Sequence, residues 1–375
     1  MSEPNSFRSY TASVFGFGDH NGAHRGALRV GFSVLVPLVA LYATGHMQWS
    51  IYAAFGAFAS VYGRGSGSVA RLKMQATAGG VLVVTVVLGA LVATTAEKDW
   101  VIVAIAAIWA SAVALASEVF RWAPPGPLFA VFGLCSVASI PSGWSEVPVA
   151  AGISLLAAVF AVAVGQIGAI RRRLPSTHPA DATVSAEIPA PTSIWRRIRS
   201  TLASRRGIVR IGRFGVAAGL AGAISTGLGI GHPYWAILTA VVPLVASDLT
   251  ISLAKGTQRV LGTTIGLAVA WALLSLNLSG LWVILLVVAL QIVAELLVMR
   301  NYGLALVFIT PLALVMVSLA HTANPNQLIA DRAVETLLGT VVGLAVALAS
   351  RNLMRPSAVG RGGTDGPIGT SGTGG

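Results

Sequence analysis

Charge is what this 375-residue chain has least of: only 10% of its residues are Asp, Glu, Lys or Arg. A soluble domain carries about 25%, because a water-facing surface must be covered by polar groups. That deficit excludes a water-soluble exterior. Acidic residues are the scarcer sign, 13 against 25 basic ones, and a single cysteine, Cys135, leaves no intrachain disulfide to form. The thiol lies in an apolar run and reads as buried and inert. Also missing are a GxxxxGK[ST] phosphate loop, the HExxH and CxxC metal patterns and a serine-nucleophile motif. ATP-driven pumping, metal catalysis and acyl transfer are therefore left without a motif. The chain reads as non-enzymatic, with no cofactor and no metal site. Gly63, Gly65 and Gly67 read as an interhelical turn, and residues 1–24 lack the apolar core of a secretory signal.

What is present is apolar: 55% of residues are hydrophobic. They come in runs of about 20, the length that crosses a hydrocarbon core of roughly 30 Å. Open strands cannot cross lipid, so each run reads as a helix. Six runs fill the first half, at roughly 26–45, 48–63, 74–96, 100–120, 126–141 and 147–170. Six more follow at roughly 208–230, 233–249, 257–276, 280–299, 302–320 and 331–350, the second and eighth being short enough to be re-entrant. The predicted fold is all-α: a polytopic membrane protein with about twelve transmembrane helices. Its parts are an N-terminal segment (1–24), a first six-helix repeat (25–170), a basic linker (171–207), a second repeat (208–350) and a disordered tail (351–375).

Lys and Arg are retained on the cytoplasmic side of a membrane. With both termini inside, only Lys98 and Arg332 of the 25 basic residues fall outside. Trp49, Trp100, Trp144, Tyr234, Trp235 and Trp282 then sit at outer span ends, where amphipathic rings settle in the headgroup belt. The net charge of +12 thus orients the chain in its membrane, and no nucleic-acid partner is expected. In the linker, Pro175 to Pro191 is expected to be disordered. Ile194-Trp195-Arg196-Arg197-Ile198-Arg199 reads as a basic amphipathic helix lying on anionic lipids.

The halves repeat. Gly45-His46-Met47-Gln48-Trp49-Ser50-Ile51 matches Gly231-His232-Pro233-Tyr234-Trp235-Ala236-Ile237, Arg29-Val30-Gly31 matches Arg213-Phe214-Gly215, and Glu118 matches Glu295. An even number of spans per half predicts parallel insertion about an axis along the membrane normal.

In the second half, Tyr234-Trp235-Ala236 resembles the signature of the fusaric acid resistance family. It is followed by Gln258-Arg259-Val260-Leu261-Gly262-Thr263, by Arg300-Asn301-Tyr302-Gly303, and by Asp331-Arg332 with Glu335-Thr336. The resemblance implies a bacterial inner-membrane protein linked to efflux of aromatic carboxylic acids, and more distantly it extends to plant malate channels. Larger bacterial exporters of this type carry a soluble domain where this chain has a short linker.

Charges within or beside spans are costly unless partnered or functional. Arg259, Lys255, Arg71, Lys73 and Arg332 are the candidate cations for a small organic anion substrate, because guanidinium groups pair both oxygens of a carboxylate. Glu118, Glu295, Asp331 and Glu335 are candidate proton-coupling carboxylates. Two readings stay open for these acids: Glu118 and Glu295 also fit as interfacial partners of Arg121 and Arg300, and Arg332–Glu335 fits as a structural i, i+3 pair. His46 and His232 occupy matching outer turns, as turn residues or pH sensors. Of the prolines inside spans, Pro37, Pro127, Pro243 and Pro311, the last two are candidate hinges. Three GxxxG pairs, starting at Gly215, Gly262 and Gly339, read as close helix contacts. The predicted function is proton-coupled export of organic, aromatic carboxylates across the cytoplasmic membrane, by a protein that is compatible with a homo-oligomer. An organic-anion channel and a non-transporting scaffold in envelope assembly are the alternatives.

Overall fold

Without water in the hydrocarbon core, every backbone N–H and C=O must be satisfied within its own segment. Among the described residues, all regular structure is accordingly helical. The structure, a computed structural model, describes residues 4–18, 23–171, 193–230, 234–246, 248–320 and 325–354. The first half runs α1 (Pro4–Phe15), α2 (Ala23–Ala43), α3 (Ser50–Ala57), α4 (Ser68–Ala93), α5 (Lys98–Val119), α6 (Leu128–Ala138) and α7 (Glu146–Arg171). After α8 (Ile194–Ala203) come α9 (Arg205–Gly227), α10 (Tyr234–Val241), α11 (Leu249–Ser275), α12 (Leu281–Leu297), α13 (Tyr302–Ala320) and α14 (Pro325–Met354). The expected disorder of Pro175 to Pro191 and of the tail, and His232, lie outside the described residues.

All twelve predicted runs are helical, and eight helices are long and apolar enough to cross a membrane: α2, α4, α5, α7, α9, α11, α13 and α14. The helix α12 has 17 residues and α6 has 11. Both α3 and α10 have eight residues and lead into a 3-10 turn. At about 1.5 Å per residue, eight residues reach roughly half way across. In α10 the cause is Pro243, which opens the 3-10 turn instead of lying inside a helix. Its ring removes the N–H that the next α-helical bond would need. Pro127 likewise caps α6 from outside, whereas Pro37 and Pro311 do lie within α2 and α13.

The exterior fits lipid as its solvent. Ile108, Leu156 and Val341 face outward on α5, α7 and α14, each about seven-tenths exposed. Water would select polar residues there; hydrocarbon does not. Trp100, Trp144 and Trp282 are exposed, as a headgroup belt requires. Tyr234 and Trp235 are not: both are buried, so the sequence expectation fails for these two rings.

The helices of the two halves interlock. In the first half α4 packs on α6 and α7, and α3 on α7; in the second α11 packs on α13 and α14, and α10 on α14. The most extensive pairings across the halves are α5 against α9 and α12 against α2, with smaller ones of α10 on α6 and α13 on α3. The predicted close-contact glycines lie at three of these seams. Gly215 and Gly219 meet α5, Gly262 and Gly266 meet α13, and Gly339 and Gly343 meet α10. At the last seam a Cβ on either glycine would stand 2.4 Å from a carbonyl oxygen of α10, that of Ala236 or Ala240. Only glycine lets α14 come this close.

The N-terminal segment is more ordered than its polarity suggests. Helix α1 packs on α11, with Val14 buried. Gln258 donates to the Ser13 and Val14 carbonyls at 3.2 and 2.8 Å, and Asn301 donates to those of Val14 and Gly16 at 3.2 Å each.

Enlarging the α10–α14 seam tests this geometry. Gly339→Leu is expected to lower stability by roughly 1–3 kcal/mol, the usual cost of overpacking. Denaturant unfolding in detergent reads it; an unchanged midpoint would contradict the contact.

Candidate functional site

Helix α14 begins at Pro325, earlier than the apolar run that announces it, so Arg332 and Glu335 sit inside the helix. Proline at a first helical position sacrifices an N–H that would be unpaired anyway. Likewise α11 starts at Leu249, so Arg259 lies about 15 Å into the helix instead of at its start. These two shifts bring the charges together in the interior.

Arg332 is only 1% exposed. Its guanidinium carbon lies 3.9 Å from the centroid of the Trp235 ring, a cation–π contact that explains why this tryptophan is inside. The Trp235 ring is flanked by Tyr234 and Phe132, with centroids at 4.7 and 5.4 Å. Glu335, fully buried, accepts from the Ser225 hydroxyl of α9 at 3.0 Å. The backbone N–H of Trp235 also holds this carboxylate, at a helix start where free N–H groups favour an anion. Arg259, 3% exposed, donates to the Tyr302 hydroxyl at 3.0 Å and to Thr239 Oγ1 at 3.3 Å. Arg259, Glu335, Tyr234 and Tyr302 all lie within electrostatic reach of Arg332.

The site therefore gathers two guanidinium groups and one fully buried carboxylate from α11 and α14, walled by α9, α10 and α13. Arg332 Nε and Nη1, Arg259 Nε and Glu335 Oε2 are buried without a hydrogen-bond partner among the described residues. Buried polar atoms are rarely left so, because each costs about 1–3 kcal/mol. Such a constellation can pair an anionic group.

The other predicted residues lie elsewhere. Asp331 neighbours Glu335, partly exposed. Lys255 is half-buried one turn from Arg259, toward the basic end of the bundle. On α4, Arg71 is half-buried beside Arg29, and Lys73 is exposed. Pro311 lies inside α13, and Pro243 at the end of α10. Glu118 and Glu295 each form an ion pair across the halves. Arg210 of α9 takes Glu118 with both Nε and Nη2, the latter at 2.8 Å, and Arg64 takes Glu295. These partners replace the expected Arg121 and Arg300. Arg121 follows α5 in a left-handed backbone conformation (φ 54°), and Arg300 bonds the Gly18 carbonyl at 3.2 Å. Arg64 is aimed by its turn, where Gly63 and Gly65 both have positive φ.

The first half has no such buried cluster on its corresponding helix. Helix α7, which packs on α3 as α14 does on α10, carries Glu146 at its first position, where Trp49 Nε1 donates to it at 3.0 Å. From 147 to 170 it has no charged residue. The distinctive chemistry belongs to the second half, and so does the match to known proteins. Residues 220–346 match the family described as fusaric acid resistance protein-like. The resemblance read from the motifs holds over that stretch, which contains every residue of the cluster. The chain is also 30% identical over 138 residues to the uncharacterized membrane protein YvaC of Bacillus subtilis (strain 168), covering 36% of this chain and 22% of the relative. This chain thus spans about a fifth of that protein's length. No solved structure matches.

The sequence had placed Arg259, Arg332 and Glu335 among its candidates but not Trp235, Thr239, Tyr302 or Ser225. The first three lie in the family-like motifs, and that was the available signal. Ser225 carried none.

Interdependence of the charges is measurable. Glu335→Leu strands Arg332 and is expected to cost roughly 3–5 kcal/mol, whereas Arg332→Met with Glu335→Leu recovers most of it. Equal unfolding free energies for the single and double variants would refute the coupling.

Proposed function

We propose that this protein is a secondary transporter that exports organic carboxylates, aromatic ones above all, across the cytoplasmic membrane, coupled to protons. The observation that supports this is the burial of Arg259, Arg332 and Glu335 together inside an apolar helical bundle. Ionisable groups at such depth are expensive, and they mark substrate or ion paths. Two cations against one fixed carboxylate leave one positive charge, which a substrate carboxylate neutralises. Guanidinium groups suit it, since their fork pairs both oxygens. The rings of Tyr234, Trp235 and Tyr302 offer an aromatic substrate apolar surface beside that charge.

Coupling follows from competition. Ionised Glu335 and the substrate carboxylate seek the same guanidinium groups. A proton on Glu335 frees Arg332 for substrate, and loss of that proton lets Glu335 displace it. The Glu118–Arg210 and Glu295–Arg64 pairs lie at the basic end, which the positive-inside rule assigns to the cytoplasm together with both termini. They clamp the halves there and must part for that side to open. The similarity between the halves supports rocking of one against the other about an axis along the membrane normal.

Reconstituted vesicles with an imposed pH gradient test this. Labelled benzoate is expected to move faster than in empty vesicles, and Arg259→Gln to slow it at least tenfold. Glu335→Gln is expected to retain exchange of benzoate for benzoate while losing response to the gradient. Benzoate flux equal to that of empty vesicles would refute the substrate class. Voltage-driven current independent of the gradient would assign a channel instead.

A further inference from the structure

Away from the intramembrane cluster, the basic end carries a second concentration of charge. A cleft of about 590 Å³ opens between α5, α8 and α9, within the range of small-molecule sites, about 300–1,000 Å³. Its wall includes Arg121, Arg197, Arg210 and Arg213, against one acid, Glu118. Glu118 is occupied by Arg210 through both oxygens. The remaining three guanidinium groups come from three different elements: the turn after α5, the linker helix α8, and α9. Two of them are fixed by backbone contacts. Arg197 Nη1 donates to the Val119 carbonyl at 3.1 Å, and Arg213 Nη2 to that of Leu244 at 2.6 Å. Arg213 is 8% exposed, and its buried Nε has no hydrogen-bond partner among the described residues.

Arg121 adds an independent sign. It closes the C-terminus of α5 in the left-handed region, φ 54°, a position that usually falls to glycine. Any residue with a Cβ is strained there. Arg121 lines the cleft, and strained positions of this kind cluster at binding sites.

We infer that this cleft binds a phosphate-bearing anion. Three arginines lining one cleft from separate elements fit a tetrahedral group with several oxygens; a planar carboxylate is saturated by one fork. Basic pockets between membrane helices hold phosphate headgroups in the same way. Helix α8 brings the surroundings such a ligand needs, because Ile194, Trp195 and Leu202 remain exposed beside its arginines and seat the helix among acyl chains. A phospholipid headgroup and free phosphate share this chemistry. The site is separate from Arg259 and Arg332, so it stands or falls independently of the transport reading.

Calorimetric titration of the full-length protein in neutral detergent is the test, with short-chain phosphatidylglycerol, inorganic phosphate and benzoate as separate probes. Binding of phosphatidylglycerol alone identifies a lipid headgroup; binding of inorganic phosphate as well identifies a free-phosphate site. Either supports the inference if Arg121→Gly weakens it at least tenfold. That variant relieves backbone strain, so its fold is expected to survive, and an unchanged melting temperature checks this. Lys98→Ala, at the opposite end, should leave binding unchanged. No binding of either phosphate probe, binding indifferent to Arg121→Gly, or benzoate binding as tight as phosphate would each overturn the assignment.

Discussion

Arg332 sets the terms for the second half. A guanidinium cannot shed its charge, and 1% exposure denies it water, so the surrounding helices must supply what solvent would. The Trp235 face, the Glu335 carboxylate and the approach of α14 to α10 through Gly339 and Gly343 all answer that one demand. Helix α10 is short, ending at Val241 before the turn that Pro243 opens; its start is held by the same carboxylate that balances Arg332. Packing, charge balance and helix length are thus linked through one side chain.

The halves share a plan and differ in chemistry. Trp49 meets a carboxylate, Glu146, at the rim of the first half, while its match Trp235 meets a cation deep in the second. Arg29 and Arg213, matched by sequence, both donate to carbonyls of the turn that follows the short helix of their own half, Ser60 and Leu244. A backbone-holding arginine is present on both sides, whereas the buried ionisable cluster, among the described residues, belongs to one.

Much of this was legible beforehand. The apolar runs located all eight helices long enough to cross a membrane, because lipid imposes length and composition directly, and the GxxxG spacing identified three seams. What failed to show had physical reasons. Helix starts came out six to eight residues late in α4, α11 and α14, because their first turns mix polar and charged residues with apolar ones and so fall outside a hydrophobic run. Trp235 was assigned to the headgroup belt because hydropathy cannot tell a ring beside lipid from a ring beneath a guanidinium. The docking of α1 rests on side-chain amides, Gln258 and Asn301, bonding to distant carbonyls, and no local pattern encodes such a contact.

The crossing of helices between halves carries a consequence for how the chain is made. Helix α2 rests on α12, and α5 on α9, so the first half lacks some of its partners when it leaves the ribosome. At about 5–20 residues per second, α2 waits on the order of tens of seconds before α12 exists. During that interval its inner face must be sheltered by lipid, by neighbours it will later exchange, or by the insertion machinery. The contact of α1 with α11 likewise joins a helix made before the first half to one made well after it.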